Sequence, residues 1–80
     1  MSVTQQTLWI VVVHERGVLY DSDVAVFTRE KEAYSEALRR LAQLLGYELK
    51  GDDEWDWEEI KKLLRDSDIV YAITEHRIVN

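Results

Sequence analysis

Leu8-Trp9-Ile10-Val11-Val12-Val13 is a run of six apolar residues, four of them β-branched, with no polar alternation. Successive side chains of a strand point to opposite faces, so a strand covered on one side alternates apolar and polar residues. A run without alternation reads as a strand covered on both sides. The remaining helical segments fit only one face of a small sheet. The other face is left to a partner or to loop residues.

Outward from this run, Met1 to Gln6 is polar and reads as a loose N-terminus, and the first strand spans about Thr7 to Glu15. Turn signals stand at Glu15-Arg16-Gly17 and at Asp21-Ser22-Asp23. They fit a hairpin with a long loop over Gly17 to Ser22 and a second strand from Asp23 to Phe27. A tighter turn at Arg16-Gly17, pairing Val18-Leu19-Tyr20, is the alternative. Thr28 is the expected N-cap of a helix from Arg29 to Leu45, with Glu30 and Glu32 complementing its dipole. Tyr34, Ala37, Leu38, Leu41, Leu44 and Leu45 form its apolar stripe, Glu36 and Arg40 a pair at i,i+4, and Gly46 its left-handed stop. Asp56-Trp57-Glu58-Glu59 matches a capping box, with Trp55 and Ile60 as the flanking staple. That predicts a second helix from Trp57 to Arg65, with Ile60, Leu63 and Leu64 inward and Glu58 paired to Lys62. Asp66-Ser67-Asp68 breaks it, and a last strand covers Ile69 to Glu75, continuing through Ile78 and Val79.

The expected architecture is one α+β domain over residues 1–80 in ββααβ order, a three-stranded sheet with two helices packed on one face. The first strand, as the most apolar, belongs at the centre. Up-and-down tracing then makes the last strand parallel to the first. Placing the second strand centrally gives a fully antiparallel sheet instead. Either parity of the first strand leaves three large apolar side chains facing away from the helices. We assign Trp9, Val11 and Val13 to that open face and expect it to form a homodimer interface. Folding of Val18, Leu19, Tyr20, Tyr47 or Leu49 over it is the competing reading.

Composition narrows the function. Eighty residues bury only about 60–65% of the unfolded chain's surface, so a partner adds needed burial. There is no Cys, which excludes disulfides, thiolate zinc sites and cysteine nucleophiles. A formal net charge of −6 argues against direct nucleic acid binding and anionic membranes, and favours basic partners. The N-terminus lacks the basic residues of a secretory signal, and the apolar run is too short to span a bilayer, so a cytoplasmic location is expected. The serines lack a nucleophile-elbow context and the glycines form no phosphate loop, so no catalytic residue and no cofactor are implied, and the chain reads as a non-enzyme.

Asp52-Asp53-Glu54-Trp55-Asp56-Trp57-Glu58-Glu59 carries six carboxylates and two Trp in eight residues. Much of this suits a helix N-terminus. Asp52, Asp53 and Glu54 precede the predicted helix, and Trp57 is expected to point further toward solvent than Trp55. These four residues, Asp52, Asp53, Glu54 and Trp57, are the candidate contact surface for a basic protein partner, since Trp anchors interfaces and carboxylates steer Lys- and Arg-rich surfaces. In its most specific form the chain is an inhibitor that mimics nucleic acid in a basic groove. In size and charge it is similar to small acidic proteins of phages and mobile elements, some anti-CRISPR proteins among them. The EF-hand spacing of calcium ligands is absent. The alternative is a small metal-binding or enzymatic protein: His14-Glu15 and Glu75-His76 end the first and last strands, and parallel strands would bring them to one end of the sheet. No metal site is assigned, because neighbouring strand residues face opposite ways and leave too few ligands.

Overall fold

The long strand β1, Gln5–Glu15, lies at the centre of a three-stranded sheet ordered β2-β1-β3, with β2 at Val24–Phe27 and β3 at Ile69–Val79. Two helices, α1 (Glu30–Leu45) and α2 (Asp53–Leu64), complete a ββααβ chain in this computed structural model, which describes residues 5–20 and 23–79. The α+β class, the element order and the central place of β1 are as the sequence predicts. The loose N-terminal segment differs in part: Gln5 and Gln6 already pair with β3, while Met1 to Thr4 lie outside the described residues. Among the described residues, no helix is long and apolar enough to cross a membrane.

Both outer strands run antiparallel to β1, which corrects the expected parallel placement of β3. Up-and-down tracing fails because α2 is not a full return leg. It ends beside the C-terminal end of β1, where the Arg16 N–H donates to the Asp68 carbonyl at 2.6 Å. From there β3 runs back along β1 in register from Glu15↔Ile69 to Gln5↔Val79. β2 pairs only with Trp9–Val12, so the far half of the β1–β3 ladder is a two-stranded ribbon.

Between β1 and β2 the long-loop reading holds. The Val18 N–H closes a turn on the Glu15 carbonyl at 3.0 Å, with Gly17 at φ 83°. A second turn joins Tyr20 and Asp23 through reciprocal bonds of 2.9 and 2.8 Å. Asp21 and Ser22 lie outside the described residues. Val18, Leu19 and Tyr20 are all exposed, and the Val18 carbonyl lies 3.1 Å from the His14 ring at the end of β1.

The helices pack on the face carrying the odd-numbered residues of β1. Val11 (0% exposed) and Val13 (2%) join Ala33, Ala37, Leu38, Leu41, Ala42 and Ile60 in the core. This reverses the assignment of Trp9, Val11 and Val13 to an open face: Val11 and Val13 are core, and Trp9 is half-buried against them. The alanines decide the parity. Ala33, Ala37 and Leu41 repeat at helical spacing, are fully buried, and let α1 lie close to β1. The stripe is therefore displaced from the expected one, and Tyr34 and Leu44 fall on its exposed margins. Leu63 is also exposed, leaving Ile60 and Leu64 as the inward residues of α2.

α1 begins one residue later than predicted, after Arg29, and no side chain caps it; Thr28 does not serve. Its C-terminus follows the sequence. Gly46 sits at φ 69° and its N–H reaches the Ala42 and Gln43 carbonyls, while the Tyr47 N–H reaches the Ala42 carbonyl at 2.9 Å. This double closure satisfies carbonyls that the helix end leaves free. Nothing lies within 4 Å of a Cβ built at Gly46, so only backbone strain opposes a side chain there. Gly46→Ala is expected to cost about 1 kcal/mol and to lower Tm by about 4–8 °C in a thermal melt.

The Glu36–Arg40 pair forms at 3.0 Å, and Arg39 joins it from the other side. The Arg39 hydrogen bond, helped by Arg40, outweighs partial burial and holds the Glu36 carboxyl below its ordinary range.

Candidate functional surfaces

The sheet face away from the helices carries Gln6, Leu8, Ile10, Val12 and His14 from β1, Val24 and Val26 from β2, and Val70, Ala72, Thr74, His76 and Ile78 from β3, as the registers require. Val24, Val26 and Ile78 are exposed, Val26 to 56%. Leu8, Ile10, Val12 and Val70 are only half-exposed, because neighbouring strands flank them, yet both helices lie on the opposite side.

The two faces differ along the ribbon. On the helix side, beyond Trp9, the residues become polar: Thr7, Glu75 and Arg77, the last two paired at 3.0 Å. On the other side Leu8 and Ile78 extend past the end of β2, each set across from a polar residue, His76 and Gln6 respectively.

At the other pole, α2 starts earlier than its capping-box pattern suggests. Asp52 is the N-cap, accepting from the Trp55 N–H at 3.1 Å. Asp56, read from sequence as the cap, is instead buried (1% exposed) inside the first turn of α2. Its carboxylate accepts from the Tyr47 hydroxyl (2.9 Å), the Lys50 N–H (2.9 Å) and the Gly51 N–H (3.1 Å). This clamp ties the connection between the helices onto α2. Starting at Asp53 turns Asp56 inward and satisfies three donors together, which a start at Trp57 does not. Burial alone would raise the Asp56 carboxyl. The hydrogen bonds from Lys50, Tyr47 and Gly51 more than offset it and hold the group below its ordinary range. Burial first, then the Asp56 bond, raises the Tyr47 hydroxyl.

The shifted start also exchanges the two tryptophans. Trp55 is 56% exposed, while Trp57 is half-buried against the core, the reverse of the expected order. The six carboxylates of the segment separate by role. Asp52 caps, Asp56 clamps, and Glu59 pairs with Lys62 at 3.3 Å in place of the expected Glu58. Among the described residues, Asp53, Glu54 and Glu58 have no ion-pair partner, and all three are exposed.

The histidines do not meet. His14 lies opposite Val70 and His76 opposite Leu8, about 20 Å apart along an antiparallel ladder. His14 Nδ1 instead lies 2.7 Å from the Glu15 carbonyl, and His76 Nε2 lies 3.1 Å from the Thr74 hydroxyl. Among the described residues, no group of three His, Cys, Asp or Glu side chains is placed to hold a metal ion.

Sequence reasoning missed the ring cluster beside Trp57. Tyr34 from α1 approaches it edge-on at 6.2 Å between centroids, and Tyr71 from β3 lies tilted against it at 5.7 Å. Tyr34 belongs to the expected apolar stripe of α1 and Tyr71 to the expected last strand; no spacing in the sequence links three rings on three elements. No protein-family model, no curated protein and no solved structure matches the chain.

Proposed function

We propose that this protein is a homodimeric, non-enzymatic interaction module, in which two copies stack their open sheet faces and each presents its acidic helix end to a basic protein partner. The observation that carries the reading is the apolar sheet face that neither helix covers. A second copy is the fitting occupant because the centre of the face is apolar (Leu8, Ile10, Val12, Val24, Val26, Val70 and Ala72), its polar residues Gln6, His14, Thr74 and His76 carry no carboxylate, ammonium or guanidinium, and an identical face meets it without like-charge repulsion. Two such sheets pack about 10 Å apart with interdigitating side chains. The acidic pole then faces outward on both copies. Asp53, Glu54 and Glu58 beside the exposed Trp55 supply steering charge and an anchor for a Lys- or Arg-rich surface. Occupying a basic nucleic-acid groove in a cytoplasmic partner is the most specific form of this reading.

Mixed-label NMR tests the dimer. Intermolecular NOEs between methyls of Ile10, Val12 and Val26 are expected; contacts confined to the outer edge of β3, or none at millimolar concentration, would overturn it. For the acidic end, reversal of charge at Asp53 and Glu54 is expected to remove partner binding while the chain stays folded, with Tm lowered by a few degrees because both carboxylates sit in the first turn of α2. Asp52 is unsuitable for that experiment because it caps α2.

A further inference from the structure

Tyr34, Trp57 and Tyr71 border a surface cavity of about 460 Å³ whose remaining lining is Asp53, Glu54, Glu58 and Lys61. We infer that this cavity is a receptor for one basic side chain, an alkylammonium or guanidinium head, projecting from the partner protein. The proposal rests on the partner reading given above and deepens it by naming the group recognised.

Ring geometry comes first. Aromatic faces carry negative charge density and attract weakly hydrated cations held within about 6 Å. Trp57, the strongest such platform, is the middle of the three rings, with Tyr34 steeply inclined to it at 69° and Tyr71 tilted at 41°. Rings at such angles do not stack into one flat wall, and all three line the same hollow. They are also preorganised: Trp57 packs against the core cluster, and the three rings come from α1, α2 and β3. A ligand therefore meets walls that are already in place.

Charge comes second. The lining sets three carboxylates against the single ammonium of Lys61, so its field favours an incoming cation. None of the three has an ion-pair partner among the described residues. Position comes third. Tyr71 lies opposite Val13, on the helix side of the sheet, so dimerisation through the other face leaves the cavity open.

The test is a titration of the full chain with capped peptides identical except for one side chain: lysine, trimethyllysine, arginine, or an uncharged tert-butyl isostere of trimethyllysine. The Trp57 indole and Tyr34 and Tyr71 ring signals report binding by NMR. The cationic peptides are expected to shift these signals and the neutral one to leave them in place. Trp57→Ala is expected to weaken binding at least about fivefold, and Lys61→Gln to tighten it by removing the like charge. Tyr34→Ala provides a wall variant at a 41% exposed position, should loss of Trp57 disturb folding. Equal binding of the neutral peptide, or no ring shift with any cation, would overturn the proposal. Poly-lysine binding reports the partner reading separately: binding that is lost on charge reversal at Asp53 and Glu54 but unchanged in Trp57→Ala would sink the cavity alone, and no poly-lysine binding would sink the partner reading, so the two failures are distinguishable.

Discussion

Val26→Lys and Ile10→Lys, each alone, are expected to leave the protein folded and monomeric at concentrations where the parent is a dimer. Both residues lie on the open face, paired across β1 and β2. In one copy Val26 is 56% exposed, so a lysine there meets water and costs the monomer little. In the stacked dimer the same ammonium would be buried between two apolar sheets with no counter-charge, and two-fold symmetry places the substitution there twice. Dimer affinity is expected to fall about a thousandfold or more, equivalent to about 4 kcal/mol. Far-UV circular dichroism of the variants is expected to match the parent. Val11→Lys, one residue along the same strand, is the contrasting case. Val11 is fully buried under α1, and its replacement is expected to unfold the chain. If Val11→Lys stayed folded and dissociated while Val26→Lys stayed dimeric, the sheet parity described above would be wrong.

Asp56→Ala is expected to lower Tm by about 10–20 °C, since the Lys50 and Gly51 amides and the Tyr47 hydroxyl lose one shared acceptor. Asp56→Asn is expected to recover little of this. An amide has one acceptor oxygen, so its NH₂ group would face backbone N–H donors that both carboxylate oxygens now serve. Tyr47→Phe removes one donor and is expected to have a smaller effect, less than additive with Asp56→Ala. The pH dependence follows from the two shifts. The Asp56 carboxyl is lowered in the folded state, so its contribution is present above about pH 4 and is lost as pH falls through the lower folded value. The Tyr47 hydroxyl is raised, so its contribution is complete below about pH 10 and is lost as pH rises through the folded value. Thermal melts from acid to alkali should show a plateau bounded on both sides; Asp56→Ala should shrink the acid edge to the share held by Glu36 and soften the alkaline edge only in part, since burial still raises the Tyr47 hydroxyl.

The parts legible in the sequence are those set by local physics. The unalternating run at Leu8 to Val13 marked the central strand, Gly46 the end of α1, and Glu36 with Arg40 a helical pair. Parity was not legible, because Leu8, Ile10, Val12 and Trp9, Val11, Val13 are equally apolar and only the fit of Ala33 and Ala37 against β1 separates them. Nor was the start of α2, where Asp52 and Asp56 both suit an N-cap by residue type. The choice is made by Tyr47, Lys50 and Gly51, whose donors reach Asp56 only after the connection folds back. The direction of β3 depended on where α2 ends in space, and with it went the meeting of His14 and His76. Tyr34, Trp57 and Tyr71 come together through tertiary packing of three elements, which no single periodicity encodes.

Sedimentation equilibrium across a wide concentration range is the most direct test of the open face as a dimer interface. A mass of twice 9.5 kDa for the parent chain, shifting to a single chain for Val26→Lys under the same conditions, is the predicted result. A single-chain mass for the parent at every concentration, up to millimolar, would contradict it.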